Sequence, residues 1–260
     1  MALTPQQKSF FESFGYLVIH DLLVRDIDWI TSEFHAVFNG KGIKHDGSKR
    51  SIVVPFIDQS EQLCGLLDHP KVLELIGSLL DEDFNYVGGD GNLFTGNTGW
   101  HTDGEHQIGL YAKFHVYLDP LTRESGAIRV IPGSHLAGPW RDQLHKVLQA
   151  GDDLHLYVRD VPCIVVETQP GDVVVFDHNI YHASFDGGPA RRHFAINVVS
   201  RAKTPAEIEE LDCYLPRHCF RWGPRVHSDL MRQTASPARM RHLEQVIERE
   251  TCLGKVSLGQ

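Results

Sequence analysis

Between about residues 84 and 200 the chain is a succession of short β-rich runs, each cut off by Gly, Pro, Asn or Asp. Such runs bounded by turn residues read as strands. They fall near 85–95, 111–118, 127–131, 163–167, 172–177 and 192–199. Gln169-Pro170-Gly171-Asp172 is a turn signature that feeds directly into the apolar run VVVF. Many short strands with regular turns suggest a barrel or a sandwich.

The texture on either side is helical. Thr4-Pro5-Gln6-Gln7 offers a capping residue, a proline suited to the first turn and a capping-box partner. Phe10, Phe11 and Phe14 follow at helical spacing, Gly15 closes the helix, and Tyr16–Ile19 reads as a strand. Residues 26–38 predict an amphipathic helix with Ile27, Ile30, Phe34 and Phe38 on one side, and 70–80 a second. Thr204–Glu207 is another capping box, and Ser236-Pro237 opens a last helix running to about Glu250. The 260 residues show no internal repeat or boundary, so residues 1–260 are expected to form one domain with a β core at about 84–200.

Composition narrows the function classes. A formal net charge of −9 argues against a nucleic-acid surface and against an anionic membrane. The first residues carry no signal-peptide pattern, and no stretch approaches the length of a membrane span. The five cysteines are scattered, and Cys213 and Cys219 lack the tight spacing of a structural zinc site. The expectation is a cytoplasmic protein with reduced thiols and a small-molecule partner.

Sixteen histidines are many for this length, and one stretch, WHTDGEH (100–106), concentrates potential ligands. In an extended segment side chains at i and i+2 point the same way. His101 and Asp103 can therefore reach one point while Thr102 faces away. An imidazole and a carboxylate so placed are two members of a facial triad, whose third is a histidine on a neighbouring strand. His182, just past VVVFD, is the leading candidate, with His178 the rival in the turn before it. Alone, His-x-Asp is weak, since short matches arise by chance in histidine-rich chains.

The triplet HTD, GAIRVIPGSH (126–135), PGDVVVFDHNIYHAS (170–184) and the basic pair before HFAINVV together resemble the phytanoyl-CoA dioxygenase family. The opening LTPQQKSFFESFGYLVIHDLL resembles that family's usual N-terminus. The resemblance spans roughly residues 4–200. It implies a double-stranded β-helix, a jelly-roll or cupin-like core, and an iron(II)- and 2-oxoglutarate-dependent dioxygenase that uses O2 and releases succinate and CO2. It implies iron ligation by His101, Asp103 and His182. Arg191 matches the arginine that grips the remote carboxylate of 2-oxoglutarate, with Arg192 the alternative, and Ser184 matches a hydroxyl that assists. A planar guanidinium suits that task through its bidentate fork. A carboxylate at 103 speaks against halogenation, because the related halogenases carry a small residue there.

Blander readings hold elsewhere. Glu105 and His106 read as solvated rim residues, His115 as a satisfied barrel histidine, and Lys113 as a surface lysine ahead of a substrate-anion partner. Trp100 reads as core packing, and Gly126 and Pro132-Gly133 as turn geometry. The rival functions are a metal-dependent hydrolase using the same ligands around a bound water, and a silent relative that only binds metal or ligand. Substrate choice falls to the loops around 39–60 and 136–160 and the tail after 200. A small polar or anionic metabolite is expected.

Overall fold

A computed structural model describes residues 2–150, 158–219, 223 and 225–257. In chain order the elements are α1 (Pro5–Phe14), β1 (Tyr16–Ile19), α2 (Ile27–Gly40), β2 (Ser51–Val53), α3 (Glu61–Cys64), α4 (Pro70–Leu80), β3 (Phe84–Tyr86), β4 (Gly91–Phe94), β5 (Thr98–His101), β6 (Tyr111–Tyr117), β7 (Ile128–Val130), α5 (Pro139–Ala150), β8 (Ile164–Val166), β9 (Val173–Asp177), β10 (His182–Ser184), β11 (Arg191–Ser200), α6 (Pro205–Tyr214), α7 (Asp229–Gln233), α8 (Pro237–Met240) and α9 (Glu244–Ser257). Short 3-10 turns and one π-helical turn, Leu215–Cys219, join some of them.

The strands form two antiparallel sheets. The larger runs β1-β9-β6-β11-β4-β2, with β3 also paired to β11; the smaller runs β5-β10-β7-β8. Alternation along β6, β9 and β11 sorts their side chains by face. Ala112, Phe114 and Val116, Val173 and Val175, and Phe194, Ile196 and Val198 share one apolar cluster with Ile30, Phe34 and Phe38 of α2 and Val72, Leu75 and Ile76 of α4. Burying one such side chain contributes about 1.5–3 kcal/mol, so this layer fixes the outer face of the large sheet. On the inner face Val174 and Phe176 meet Ile128, Val130 and Val166 of the smaller sheet. The rest of the space between the sheets is a cavity of about 300 Å³ lined by Lys113, His115, Arg191, His193 and Asn197, among others.

The predicted capping boxes form. Thr4 and Thr204 each accept from the backbone three residues on, and the Gln7 and Glu207 side chains reach back. Gly15 closes α1 in the left-handed conformation at φ 79°. Of the three phenylalanines of α1 only Phe11 is buried; Phe10 packs on Phe14 and Tyr16. Two expected elements are broken. The run 85–95 is β3 and β4, both on β11, interrupted at Gly88-Gly89-Asp90, where a side chain on Gly89 would lie 1.9 Å from the Ala195 carbonyl. The helix from Ser236 stops at Met240 because the His242 carbonyl accepts from the Tyr86 N–H (2.8 Å) and the ring stacks on Phe84 (3.8 Å). Among the described residues no helix is long and apolar enough to cross a membrane.

Candidate metal centre and carboxylate pocket

His101 ends β5 and His182 begins β10, and the two are direct cross-strand partners. Their rings lie 4.1 Å apart. Asp103 follows β5 in a turn whose backbone is pinned, with the Asp103 and Gly104 N–H groups both donating to the His178 carbonyl (2.8 and 3.1 Å). Its carboxylate oxygens then stand 4.0 Å from His101 Nε2 and 3.7 Å from His182 Nε2. One ligand atom from each of the three lies within 4.8 Å of the others, and among the described residues they form the one such group.

Hydrogen bonding sets the tautomers. His101 Nδ1 donates to the Gly99 carbonyl (2.9 Å) and His182 Nδ1 to the Ile180 carbonyl (3.1 Å). A carbonyl cannot donate, so each Nδ1 carries the proton and each Nε2 presents a lone pair, as outer-sphere partners of ligating histidines do. Burial pushes the His182 imidazole down to about 3, which keeps it neutral. Burial raises the Asp103 carboxyl, but the Lys113 ammonium beside it outweighs this and holds it ionised, well below the usual range. Two neutral imidazoles and a carboxylate fit a divalent cation, since their ligand atoms converge within 4.8 Å of one another.

His178 stands apart from this group. Its backbone positions Asp103, while its ring nitrogens are buried without hydrogen bonds and burial lowers it to about 3.

The two arginines that open β11 point to opposite faces, as successive strand residues must. Arg191 enters the cavity and is 6% exposed. Its guanidinium donates to the carbonyls of Gly126 and Gly96 (2.5 Å each) and to Ser184 Oγ, and it lies over the Phe94 ring at 4.9 Å. A side chain on Gly126 or Gly187 would sit within 2.6 Å of that guanidinium. Gly126 is thus more than turn geometry, since it clears the space for Arg191. Among the described residues no carboxylate lies within ion-pair distance of Arg191. Arg192 is a correction to the sequence reading: it leaves the cavity and pairs with Asp119 through its Nη2 (2.5 Å) and with His35 (3.0 Å).

Two bland readings also change. His106 is buried and not a rim residue; it stacks on Tyr111 at 3.6 Å and faces Glu210 at 3.0 Å through Nδ1. Glu105 is exposed as expected. Lys113 is no surface lysine, because the inward side of β6 carries it into the cavity, where Nζ meets Asp103 Oδ2 at 2.7 Å with 14% exposure. Beside it Tyr117, His115 and His193 form a hydrogen-bonded chain (3.3 and 2.6 Å), and burial pushes both histidines well down. Trp100 is half-buried, edge-on to Phe185, outside the core. The cavity wall takes Arg50, Ile52, Val54 and Pro55 from the 39–60 stretch, and Tyr214, His218, Cys219, Arg225 and Val226 from the tail. The 136–160 stretch contributes no described lining residue, and its residues 151–157 lie outside the described ones.

Facing antiparallel sheets with the ligand group on the smaller one make this a double-stranded β-helix, the cupin-like core of 2-oxoglutarate oxygenases. Residues 11–194 match the phytanoyl-CoA dioxygenase (PhyH) family, to which the chain belongs and through which it joins the Fe(II)/2-oxoglutarate-dependent oxygenase superfamily. Solved structures share the fold. The non-heme α-ketoglutarate-dependent carbocyclase SnoK from nogalamycin biosynthesis is 18% identical, with a TM-score of 0.62 over 76% of this chain and 84% of its own. HygX from Streptomyces hygroscopicus, with nickel and 2-oxoglutarate bound, is 18% identical with a TM-score of 0.60 over 78% and 90%. EctD from S. alaskensis, with 2-oxoglutarate and 5-hydroxyectoine, is 18% identical with a TM-score of 0.57 over 76% of both chains. A comparison with curated proteins gives no match.

Proposed function

We propose that the chain is an iron(II)- and 2-oxoglutarate-dependent dioxygenase that hydroxylates a small-molecule metabolite. His101, Asp103 and His182 would hold the iron. Arg191, with Ser184, would take the remote carboxylate of 2-oxoglutarate. The observation that carries this reading is Arg191, a buried guanidinium with only neutral hydrogen-bond partners, in the same cavity as three convergent ligand side chains. A buried charge without a counter-ion is costly, and a dicarboxylate cosubstrate supplies one.

Iron with 2-oxoglutarate supplies activation of dioxygen, giving succinate and CO2 as co-products. The chain's own residues do the rest. Gly99 and Ile180 carbonyls orient the two imidazoles. Gly126 and Gly187 make room for the guanidinium, and the carbonyls of Gly126 and Gly96 accept from it. Asp103 keeps a carboxylate where chloride binding would need a vacancy, which favours hydroxylation over halogenation.

A hydrolase would use the same ligands but has no need of the buried arginine. The whole chain is read as one domain, since Leu3 at one end and Leu243 near the other join the same core cluster. Five free thiols support a cytoplasmic setting. The test is anaerobic titration with iron(II) and 2-oxoglutarate. The oxygenase reading expects a weak visible charge-transfer band, absent without either component. Its absence, with no succinate formed on any substrate tried, would move the hydrolase ahead.

A further inference from the structure

The cavity's charges leave one cation over once cosubstrate and metal are in place. The lining residues with formal charges are Arg50, Asp90, Asp103, Lys113, Arg191 and Arg225. Arg225 is paired at the rim with Asp229 (2.5 Å). Arg50 is paired with Asp90 (3.1 Å), also bonds Asn92 (2.5 Å) and lies over the Phe94 ring at 5.0 Å. On the reading above, Arg191 is neutralised by the remote carboxylate of 2-oxoglutarate. The other carboxylate and Asp103 together neutralise a divalent iron. Lys113 and Arg50 then share the single Asp90 carboxylate, which leaves the three groups with one positive charge in excess. Its one carboxylate within ion-pair distance among the described residues is Asp103, whose charge is now spent on the metal.

A side chain ammonium with 14% exposure has little water to fall back on, and a charge left in excess there is costly. The strand holds it there: Phe114 and Ala112 on either side are buried in the outer cluster, so Lys113 cannot turn out of the cavity without breaking the alternation of β6. We infer that Lys113 is the anchor for an oxyanion of the primary substrate, and that the substrate class is a small molecule bearing a carboxylate or a phosphate. This deepens the oxygenase reading and rests on it. In the metal-free protein the same ammonium occupies Asp103, so Lys113 also contests the metal.

The test uses full-length protein loaded with Mn(II) and 2-oxoglutarate, which does not turn over, and reads thermal shift. The probes are small carboxylic acids, each beside its carboxamide, and phosphate esters, each beside its alcohol. Wild type is expected to be stabilised by at least one anion and not by its uncharged partner; which set responds separates carboxylate from phosphate. In Lys113→Met that anion should bind weaker by a factor of roughly 30 or more, and Lys113→Arg should recover most of it. Mn(II) alone should bind Lys113→Met more tightly than wild type.

The inference is overturned if uncharged partners stabilise as well as the anions, if no anion shifts a wild type that binds Mn(II) and 2-oxoglutarate, or if Lys113→Met binds the anion unchanged. The comparison of anion with uncharged partner needs no variant, so it stands even where Lys113→Met fails to fold. A wild type that binds neither Mn(II) nor 2-oxoglutarate sinks the oxygenase reading, and this inference with it.

Discussion

Arg191 and Arg192 are chemically identical neighbours that differ in what neutralises them. Arg192 has Asp119 on the outer face of the sheet, whereas Arg191 has only carbonyls, a hydroxyl and an aromatic face. The difference yields a paired prediction. Arg191→Ala should raise the Michaelis constant for 2-oxoglutarate roughly 30-fold or more, because losing one partner of a buried charged pair costs about 2–5 kcal/mol. Metal affinity should hardly move. Arg192→Ala should leave 2-oxoglutarate use unchanged, and initial rates against 2-oxoglutarate for the two variants decide the matter. An equal effect of both would show that strand alternation does not govern the pocket. For the metal, His101→Ala, Asp103→Ala and His182→Ala should each lose Mn(II) binding by calorimetry, yet keep wild-type circular dichroism, since none of the three belongs to the apolar clusters that hold the sheets together. Wild-type affinity in any one of them removes that residue from the centre.

At the scale of the element, what could be read in advance depended on how much local pattern an element carries. Helices α1, α2, α4 and α6 announced themselves through caps and apolar spacing. Strands β6, β9 and β11 did so through β-branched runs, and their alternation is what assigns Lys113 and Arg191 to the cavity. Strands β5 and β10 are four and three residues long and hold Gly, His, Ala and Ser among few β formers, so neither alternation nor propensity marked them, and β2, though it holds Ile52 and Val53, is too short to alternate. These pieces nonetheless carry His101 and His182, which were found from ligand chemistry and family resemblance instead. Helix α5 does carry an apolar stripe, Trp140, Leu144, Val147 and Leu148, but it buries none of its side chains and lies in a stretch read as a substrate loop, and α7 is too short for a stripe. Tertiary ties decide such segments. Asp58, in the 3-10 turn Ile57–Gln59, accepts from the Tyr86 hydroxyl of β3 (2.7 Å) and from the Ser228 N–H that precedes α7 (3.0 Å). Burial pushes its carboxyl up to about 6 despite those two hydrogen bonds. A raised folded-state value means the native protein holds a proton that the unfolded chain, near 3.9, has released. Stability is therefore greatest below about pH 4 for this group and falls as pH rises to about 6, by roughly 2–3 kcal/mol. Urea unfolding of wild type and Asp58→Asn at pH 4 and pH 7 should show that extra loss in wild type only. The same pH dependence in both would assign it to other groups.

For the molecule as a whole, the candidate centre lies where the two sheets face each other. The smaller sheet and its turns bring His101, Asp103, His182 and Ser184, while the larger brings Lys113 and Arg191. Metal and 2-oxoglutarate would thus bridge the sheets, and a ligand that binds only the folded state stabilises by RT ln(1 + [L]/Kd), about 2.7 kcal/mol at a hundredfold excess over Kd. For a chain of this size that is a rise in Tm of roughly 5–10 °C. The order of addition tests the arrangement. Mn(II) alone should raise Tm, because its ligands are preformed. 2-Oxoglutarate alone should do less, since Arg191 answers only one of its two carboxylates, and the pair together should exceed the sum of the two. Chelation should reverse the whole effect. Asp103→Ala should lose the metal shift and the synergy but keep the small effect of 2-oxoglutarate. Arg191→Ala should keep the metal shift and lose the rest. Scanning calorimetry of the three proteins under the four conditions separates these outcomes. A full 2-oxoglutarate shift in Asp103→Ala without metal would mean that the dicarboxylate binds away from the candidate centre, and the assignment of both subsites to one cavity would have to be given up.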